Sequence, residues 1–155
     1  MILIKPMQVG HLDAVHAIEC ACFTTPWSRE SLLREITRNE LSHYVCAMLY
    51  EALREPEVVG YAGMWQIGDE GHITNLAVKE RHRQNGVASM ILSHLDGLST
   101  RLDITALTLE VRVSNIPAQK LYAKHGFETK GRRKGYYADT GEDAFIMWKT
   151  VGGQL

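Results

Sequence analysis

The stretch between residues 72 and 113 constrains the fold most. An apolar, β-branched run at His72–Val78 ends in a charged turn with Gly86 at its far side. From there Val87, Met90, Ile91, Leu95 and Leu98 repeat at helical spacing, and Ala106–Val113 follows as a second apolar, β-branched run. This reads as a strand, a helix and a strand, the βαβ unit of a mixed α/β fold.

The rest of the chain is read around that unit. Ile2–Ile4 is predicted as a first strand, and Leu12, Val15, Ile18 and Cys22 share one face of a helix over His11–Cys22. Ser28 is placed to cap a second helix carrying Leu32, Leu33 and Ile36. Tyr44–Tyr50 and Val58–Ile67 read as strands joined across the charged segment Glu51–Glu57. Asn115 caps a further helix, with Pro117 tolerated in its first turn and Gly126 at its end, and Phe127–Lys130 and Ala144–Lys149 close the chain as strands. Tyr44–Tyr50, Val58–Ile67 and His72–Val78 make three strands in a row, which suggests antiparallel pairing in the first half.

With 155 residues, 45% of them hydrophobic, the chain can bury about 68–70% of its unfolded surface in one core, so residues 1–155 are expected to form a single domain. The balance of 17 Lys and Arg against 18 Asp and Glu gives a net charge of -1, which argues against nucleic acid or an anionic membrane as the main partner. Apolar runs such as Val45–Tyr50 fall far short of the ~20 residues of a membrane span. The start, Met-Ile-Leu-Ile, meets Lys5-Pro6 too soon for a signal peptide. Cys20, Cys22 and Cys46 are odd in number and form no C-x-x-C, so reduced thiols and a cytoplasmic location are expected.

The turn Arg81–Ala88 sits where an anion site is built. Unpaired N–H groups in the first turn of a helix and its positive dipole end bind phosphate, and Arg81 and Arg83 can add charge. The same residues can equally form a plain strand-to-helix turn with solvated cations. Two nucleotide motifs fail here: only one glycine of G-x-G-x-x-G is present, and no Gly-Lys-Ser/Thr occurs.

Arg83-x-x-Gly86-x-Ala88, after a strand ending Asn75-Leu76-Ala77-Val78, resembles the motif that holds the coenzyme A pyrophosphate in the GNAT superfamily of N-acetyltransferases. Leu109-Glu110-Val111-Arg112-Val113-Ser114-Asn115, Ala118, Leu121-Tyr122, Gly126-Phe127, Tyr136-Tyr137 and Pro26-Trp27-Ser28 are similar to its RimI-like, ribosomal-protein-alanine N-acetyltransferase branch. The similarity spans Ile4 to Thr150, with Ala88 where many members carry glycine.

This resemblance implies a GNAT fold, a mostly antiparallel mixed sheet splayed into a V-shaped cofactor cleft and flanked by about four helices. It implies acetyl-CoA as cosubstrate, held by Leu76, Ala77 and Val78 along the pantetheine, by Arg83, Gln84, Asn85, Gly86, Val87, Ala88 and Ser89 around the pyrophosphate, and by Asn115 at the arm. It makes Glu110 the general base, Tyr122 the general acid, and Pro26, Trp27, Tyr136 and Tyr137 the acceptor-side residues. Spacing alone reads these differently: Glu110 as a strand carboxylate paired to Arg112, Tyr122 as a core aromatic, and Gly131–Tyr137 as a solvated basic turn.

The implied reaction is direct attack of an amine on the thioester, without an acyl-enzyme, so the cysteines are not needed as nucleophiles. Glutamate at its ordinary pKa of ~4.3 is a weak base, so Glu110 is expected to be raised by burial or to act through water. The expected acceptor is the N-terminal α-amine of a protein such as ribosomal protein S18. A small amine is the alternative within the same chemistry, and a non-catalytic coenzyme A-binding module is the alternative outside it. The seven histidines show no ligand spacing, so no metal is expected.

Overall fold

In the computed structural model, which describes residues 1–152, β4 (Glu70–Val78), α3 (Val87–Arg101) and β5 (Ala106–Arg112) form the expected βαβ unit. The two strands are parallel, paired as Glu70 with Ala106, Gly71 with Leu107 and His72 with Thr108. Around them run β1 (Ile2–Pro6), α1 (Leu12–Cys22), α2 (Arg29–Thr37), β2 (Ser42–Leu49), β3 (Glu57–Ile67), α4 (Ile116–Lys124), β6 (Glu128–Tyr137) and β7 (Glu142–Thr150). The strand order is β1-β2-β3-β4-β5-β7-β6. Among the described residues no helix is long and apolar enough to cross a membrane.

The chain divides into two compact units. The first comprises Met1–Trp65 and Thr74–His94. Here β1 pairs antiparallel with β2, and β2 with β3. The apolar face of α1, with Leu12, Val15 and Ile18, packs with Leu32 of α2 and with Cys46, Met48 and Tyr61 of the strands. Ser28 caps α2 through its Oγ, which accepts from the Ser31 N–H at 3.0 Å. Gly63 is required by crowding: a Cβ there would lie 2.4 Å from the Tyr44 ring.

The second unit comprises Gln66–Ile73 and the chain from Leu95 onward. In it β7 pairs antiparallel with both β5 and β6. Along β5 the buried Leu107, Leu109 and Val111 alternate with half-buried Thr108, Glu110 and Arg112, which is the face the period of two assigns to them. Asn115 caps α4 by accepting from the Ala118 N–H at 3.2 Å, and Gly126 ends it with φ +93.

One expectation is corrected in this unit. The basic run Gly131–Tyr137 is not a solvated turn after a strand ending at Lys130; β6 continues through it to Tyr137. Arg132 pairs with Phe145, Arg133 with Ala144 and Tyr137 with Glu142, and the register shift between Arg133 and Tyr137 is absorbed where Gly135 adopts φ +60. Charge does not exclude a strand at a sheet edge, where cationic side chains are exposed to water and guard the edge.

Candidate active site

Glu110 is brought into a small polar cluster within the second unit. Its Oε1 lies 2.9 Å from Nε2 of His72 and accepts the Tyr136 hydroxyl at 3.1 Å. An ionised carboxylate only accepts, so Nε2 is the protonated ring nitrogen in this contact. The Glu110 side chain is 10% exposed. Two expectations change here. Arg112 does not pair with Glu110: it reaches Asp139 at 2.8 Å and Glu142 at 3.4 Å and lies 3.9 Å over the Tyr137 ring. Nor is the Glu110 carboxyl raised by burial. The His72 hydrogen bond outweighs desolvation and, with Tyr136 and the charge of Arg133, holds it below the usual carboxylate range.

The aromatic candidates of this unit lie on α4 and β6. Tyr122 packs edge-on to Phe127 at 5.8 Å between ring centroids. Burial pushes its hydroxyl up to about 12, so the phenol stays protonated across the working range and can only donate a proton. Tyr136 and Tyr137 meet edge-on at 5.0 Å. Burial, followed by the Tyr136 contribution, raises Tyr137 to about 12. Tyr136 thus joins Glu110 directly, and Tyr137 is held by Arg112.

The candidate anion-binding turn lies in the first unit. Gln84 has φ +64 and Gly86 φ +78, so the backbone reverses twice before α3 begins at Val87. Alternation of this kind points successive N–H groups into one concavity, to which the first turn of α3 adds its own. A Cβ on Gly86 would meet no atom within 4 Å, so the glycine answers to its φ and to open space above it. Gln84, Asn85 and Gly86 are exposed, Ala88 and Ser89 half-buried, and Val87 buried. Arg83 donates from Nε to the Val78 carbonyl at 3.1 Å and from Nη2 to Cys22 Sγ at 3.1 Å, and Cys22 Sγ donates to the same carbonyl at 3.7 Å, so that carbonyl already carries two donors. Arg81 turns away to Glu57, which also takes Lys79 at 2.8 Å and His82 at 3.6 Å and is held at about 2, chiefly by the Lys79 hydrogen bond. Leu76 and Ala77 lie on β4, half-buried and buried. Asn115, in the other unit, uses its Oδ1 as the α4 cap.

Pro26 and Trp27, also in the first unit, border an open groove of about 560 Å³ with Thr25, Ser28, Arg34 and Glu35. The Trp27 N–H donates to Glu19 Oε2 at 2.9 Å. Among the described residues no group of three or more His, Cys, Asp and Glu could hold a metal ion.

Residues 12–127 match the acetyltransferase (GNAT) family. The chain belongs to that family. A Bacillus subtilis (strain 168) protein provisionally named a ribosomal protein bS18-alanine N-acetyltransferase is 38% identical over 148 residues, spanning 96% of this chain and 95% of the relative. The Escherichia coli (strain K12) ribosomal protein bS18-alanine N-acetyltransferase is 28% identical over 93% of this chain and 94% of its own length. The crystal structure of the Escherichia coli ribosomal-protein-S18-alanine N-acetyltransferase superposes with a TM-score of 0.86 at 26% identity, covering 100% of this chain and 97% of that one.

As a GNAT protein, the chain is an acetyl-CoA-dependent N-acetyltransferase, and acetyl-CoA supplies the activated acetyl group. The turn Arg83–Ser89, with Gln84 and Gly86 at positive φ ahead of α3, is the candidate place for its pyrophosphate. Two polar side chains escaped the sequence reading of this GNAT chain. His72 sits on β4 and reaches Glu110 across 38 sequence positions, a contact that depends on register. Glu19 left a trace: it is the one charged residue on the apolar face of α1, between Val15 and Cys22.

Proposed function

We propose that this acetyltransferase modifies the N-terminal α-amine of a protein, and that its acceptor is the N-terminal alanine of ribosomal protein bS18. The two named bS18-alanine N-acetyltransferases, similar over nearly their whole length, support the acceptor. Residues 1–155 act as one GNAT domain, and the enzyme works in the cytoplasm.

The observation that carries this reading is the contact of Glu110 with both His72 and Tyr136. In it Glu110 receives the proton lost by the attacking amine, with His72 fixing its orientation. Tyr136 and Tyr137 grip the acceptor backbone beside it, Pro26 and Trp27 contact the acceptor's first side chains, and Tyr122 protonates the departing thiolate. Leu76, Ala77 and Val78 receive the pantetheine, the turn Arg83–Ser89 the pyrophosphate, and Asn115 the arm.

Energetics favour an α-amine over a lysine. Whatever the base, a lysine of pKa about 10.4 costs about 3.3 kcal/mol more to deprotonate than an α-ammonium of pKa about 8, and the Glu110 carboxyl is held below its ordinary range. A base held this low is therefore matched to an amine that is partly free already at neutral pH.

An acceptor screen tests the reading. The enzyme and acetyl-CoA are incubated with N-terminal hexapeptides, including that of bS18, with the same peptides blocked at the α-amine but carrying a lysine, and with polyamines. Mass spectrometry should find one acetyl group on the free α-amine of the alanine peptide. Preferential acetylation of lysine side chains or polyamines sinks the proposal.

A further inference from the structure

Glu19 is a carboxylate that the proposed proton transfers leave unused. It is 2% exposed, and burying a charge is unfavourable unless donors surround it. The donors come from three other places in the chain. Tyr61 of β3 donates its hydroxyl to Oε1, Asn75 of β4 donates from Nδ2 to the same oxygen at 3.4 Å, and the backbone N–H of Trp27 donates to Oε2 at 2.9 Å. Asn75 continues the network, accepting on Oδ1 from Thr74 at 2.7 Å and from the Tyr44 hydroxyl at 3.1 Å.

The Trp27 contact stands apart from the others. Tyr61 and Asn75 belong to strands whose ladders place them, whereas Phe23–Ser28 lies between the end of α1 and the start of α2. Within that segment Pro26 carries no N–H, and just past it the Trp27 N–H ties the segment back to Glu19 of α1. The residues so fixed form one wall of the 560 Å³ groove.

We propose that Glu19 is a positioning residue for acceptor recognition: by holding the Trp27 N–H, it sets the wall against which the first side chains of an N-terminal peptide pack. This rests on the reading in which Pro26 and Trp27 face the acceptor.

Four variants test it, with the bS18 N-terminal hexapeptide as acceptor and acetyl-CoA affinity from titration calorimetry as a check on the fold. Glu19→Met keeps the size and loses the acceptor atoms. It should raise the peptide KM about tenfold or more with kcat and acetyl-CoA affinity within about twofold, the pattern of lost acceptor positioning. Glu19→Gln retains a carbonyl for Trp27 and should restore the KM. Tyr61→Phe removes a donor from the same carboxylate without touching Trp27 and should leave the KM unchanged. If Glu19→Met no longer binds acetyl-CoA, Glu19→Asp repeats the measurement with the carboxylate withdrawn by one methylene.

A wild-type peptide KM in the binding-competent Met or Asp variant overturns the proposal, as does an equal rise in Tyr61→Phe, which would mark a general loss of packing. A Gln variant as impaired as Met overturns it too, because charge and not the N–H acceptor would then matter. Trp27→Ala separates the underlying reading: if it leaves the peptide KM unchanged, Trp27 does not face the acceptor, whatever Glu19 does.

Discussion

His72 Nε2 and Glu110 Oε1 lie 2.9 Å apart, joining the last paired residue of β4 diagonally to the residue two positions beyond its ladder partner Thr108 on β5. The contact holds the carboxylate ionised below its ordinary range. Because the folded-state pKa is depressed, the stabilisation from this ionisation is fully present above the unfolded value of about 4.3 and is lost as pH falls through the folded value. Glu110 should therefore not titrate between pH 5 and about 9, and the rise of kcat/KM in that interval should follow the acceptor amine, near pH 8 for an α-amine. A pH-rate profile on the best peptide checks this; an inflection near pH 5–6 that Glu110→Gln abolishes would contradict it.

Replacing Glu110 by Gln keeps the shape and an acceptor for His72 but removes the proton sink. We expect kcat to fall by about 10²–10⁴-fold with acetyl-CoA affinity unchanged, and the loss to shrink above pH 8 as the amine deprotonates in solvent. Steady-state kinetics from pH 6 to 9 decide the matter. A wild-type rate throughout would leave Glu110 as a carboxylate that merely ties β5 to His72 and Tyr136.

Tyr122→Phe tests the proton donor. The phenyl ring still packs on Phe127, so thermal stability and acetyl-CoA binding should hold while kcat drops by about 10²–10⁴-fold. Pre-steady-state kinetics separate a slowed acetyl transfer from slow product release, and an unchanged transfer step would return Tyr122 to a packing role.

At Gly86 the conformation itself is the test. With φ +78, any other residue is strained and a branched side chain stands over the turn. Gly86→Val should weaken acetyl-CoA binding by an order of magnitude or more in titration calorimetry while the far-ultraviolet circular dichroism stays the same.

Gly63→Ala probes the first unit's core without entering the proposed chemistry. The added Cβ would collide with the Tyr44 ring, and overpacking of this kind costs about 1–3 kcal/mol. Urea denaturation should show the midpoint lowered, and a variant as stable as wild type would mean that Tyr44 can swing aside.

How much was legible follows from which signals are local. The βαβ unit, the caps at Ser28 and Asn115 and the alternation along β5 rest on neighbours within a few residues, and the sequence displays them. The turn around Gly86 was visible as a pattern, although its reversed backbone at Gln84 was not. The partners of Glu110 were hidden: Arg112, two positions away on the same face, was the obvious counter-ion, yet it is drawn to Asp139 and Glu142 on the hairpin side, leaving His72 to take the carboxylate. The extent of β6 was obscured by its charges, since the strand is written by its pairing with β7 and not by apolar alternation.

The cluster around Glu57 bears on how quickly the cosubstrate arrives. Lys79 and Arg81, just ahead of the proposed phosphate-binding turn, would by themselves project a positive field that draws a polyanion in and speeds its capture at low salt. Glu57 gathers both, with His82 beside them, onto one carboxylate and offsets one of their two charges at its source. Arg83, which bonds the Val78 carbonyl and Cys22 Sγ, keeps its charge at the turn beside the backbone dipoles. Capture at the proposed site is then steered by fewer charges than the sequence displays, and its rate should fall less steeply with ionic strength than their number implies.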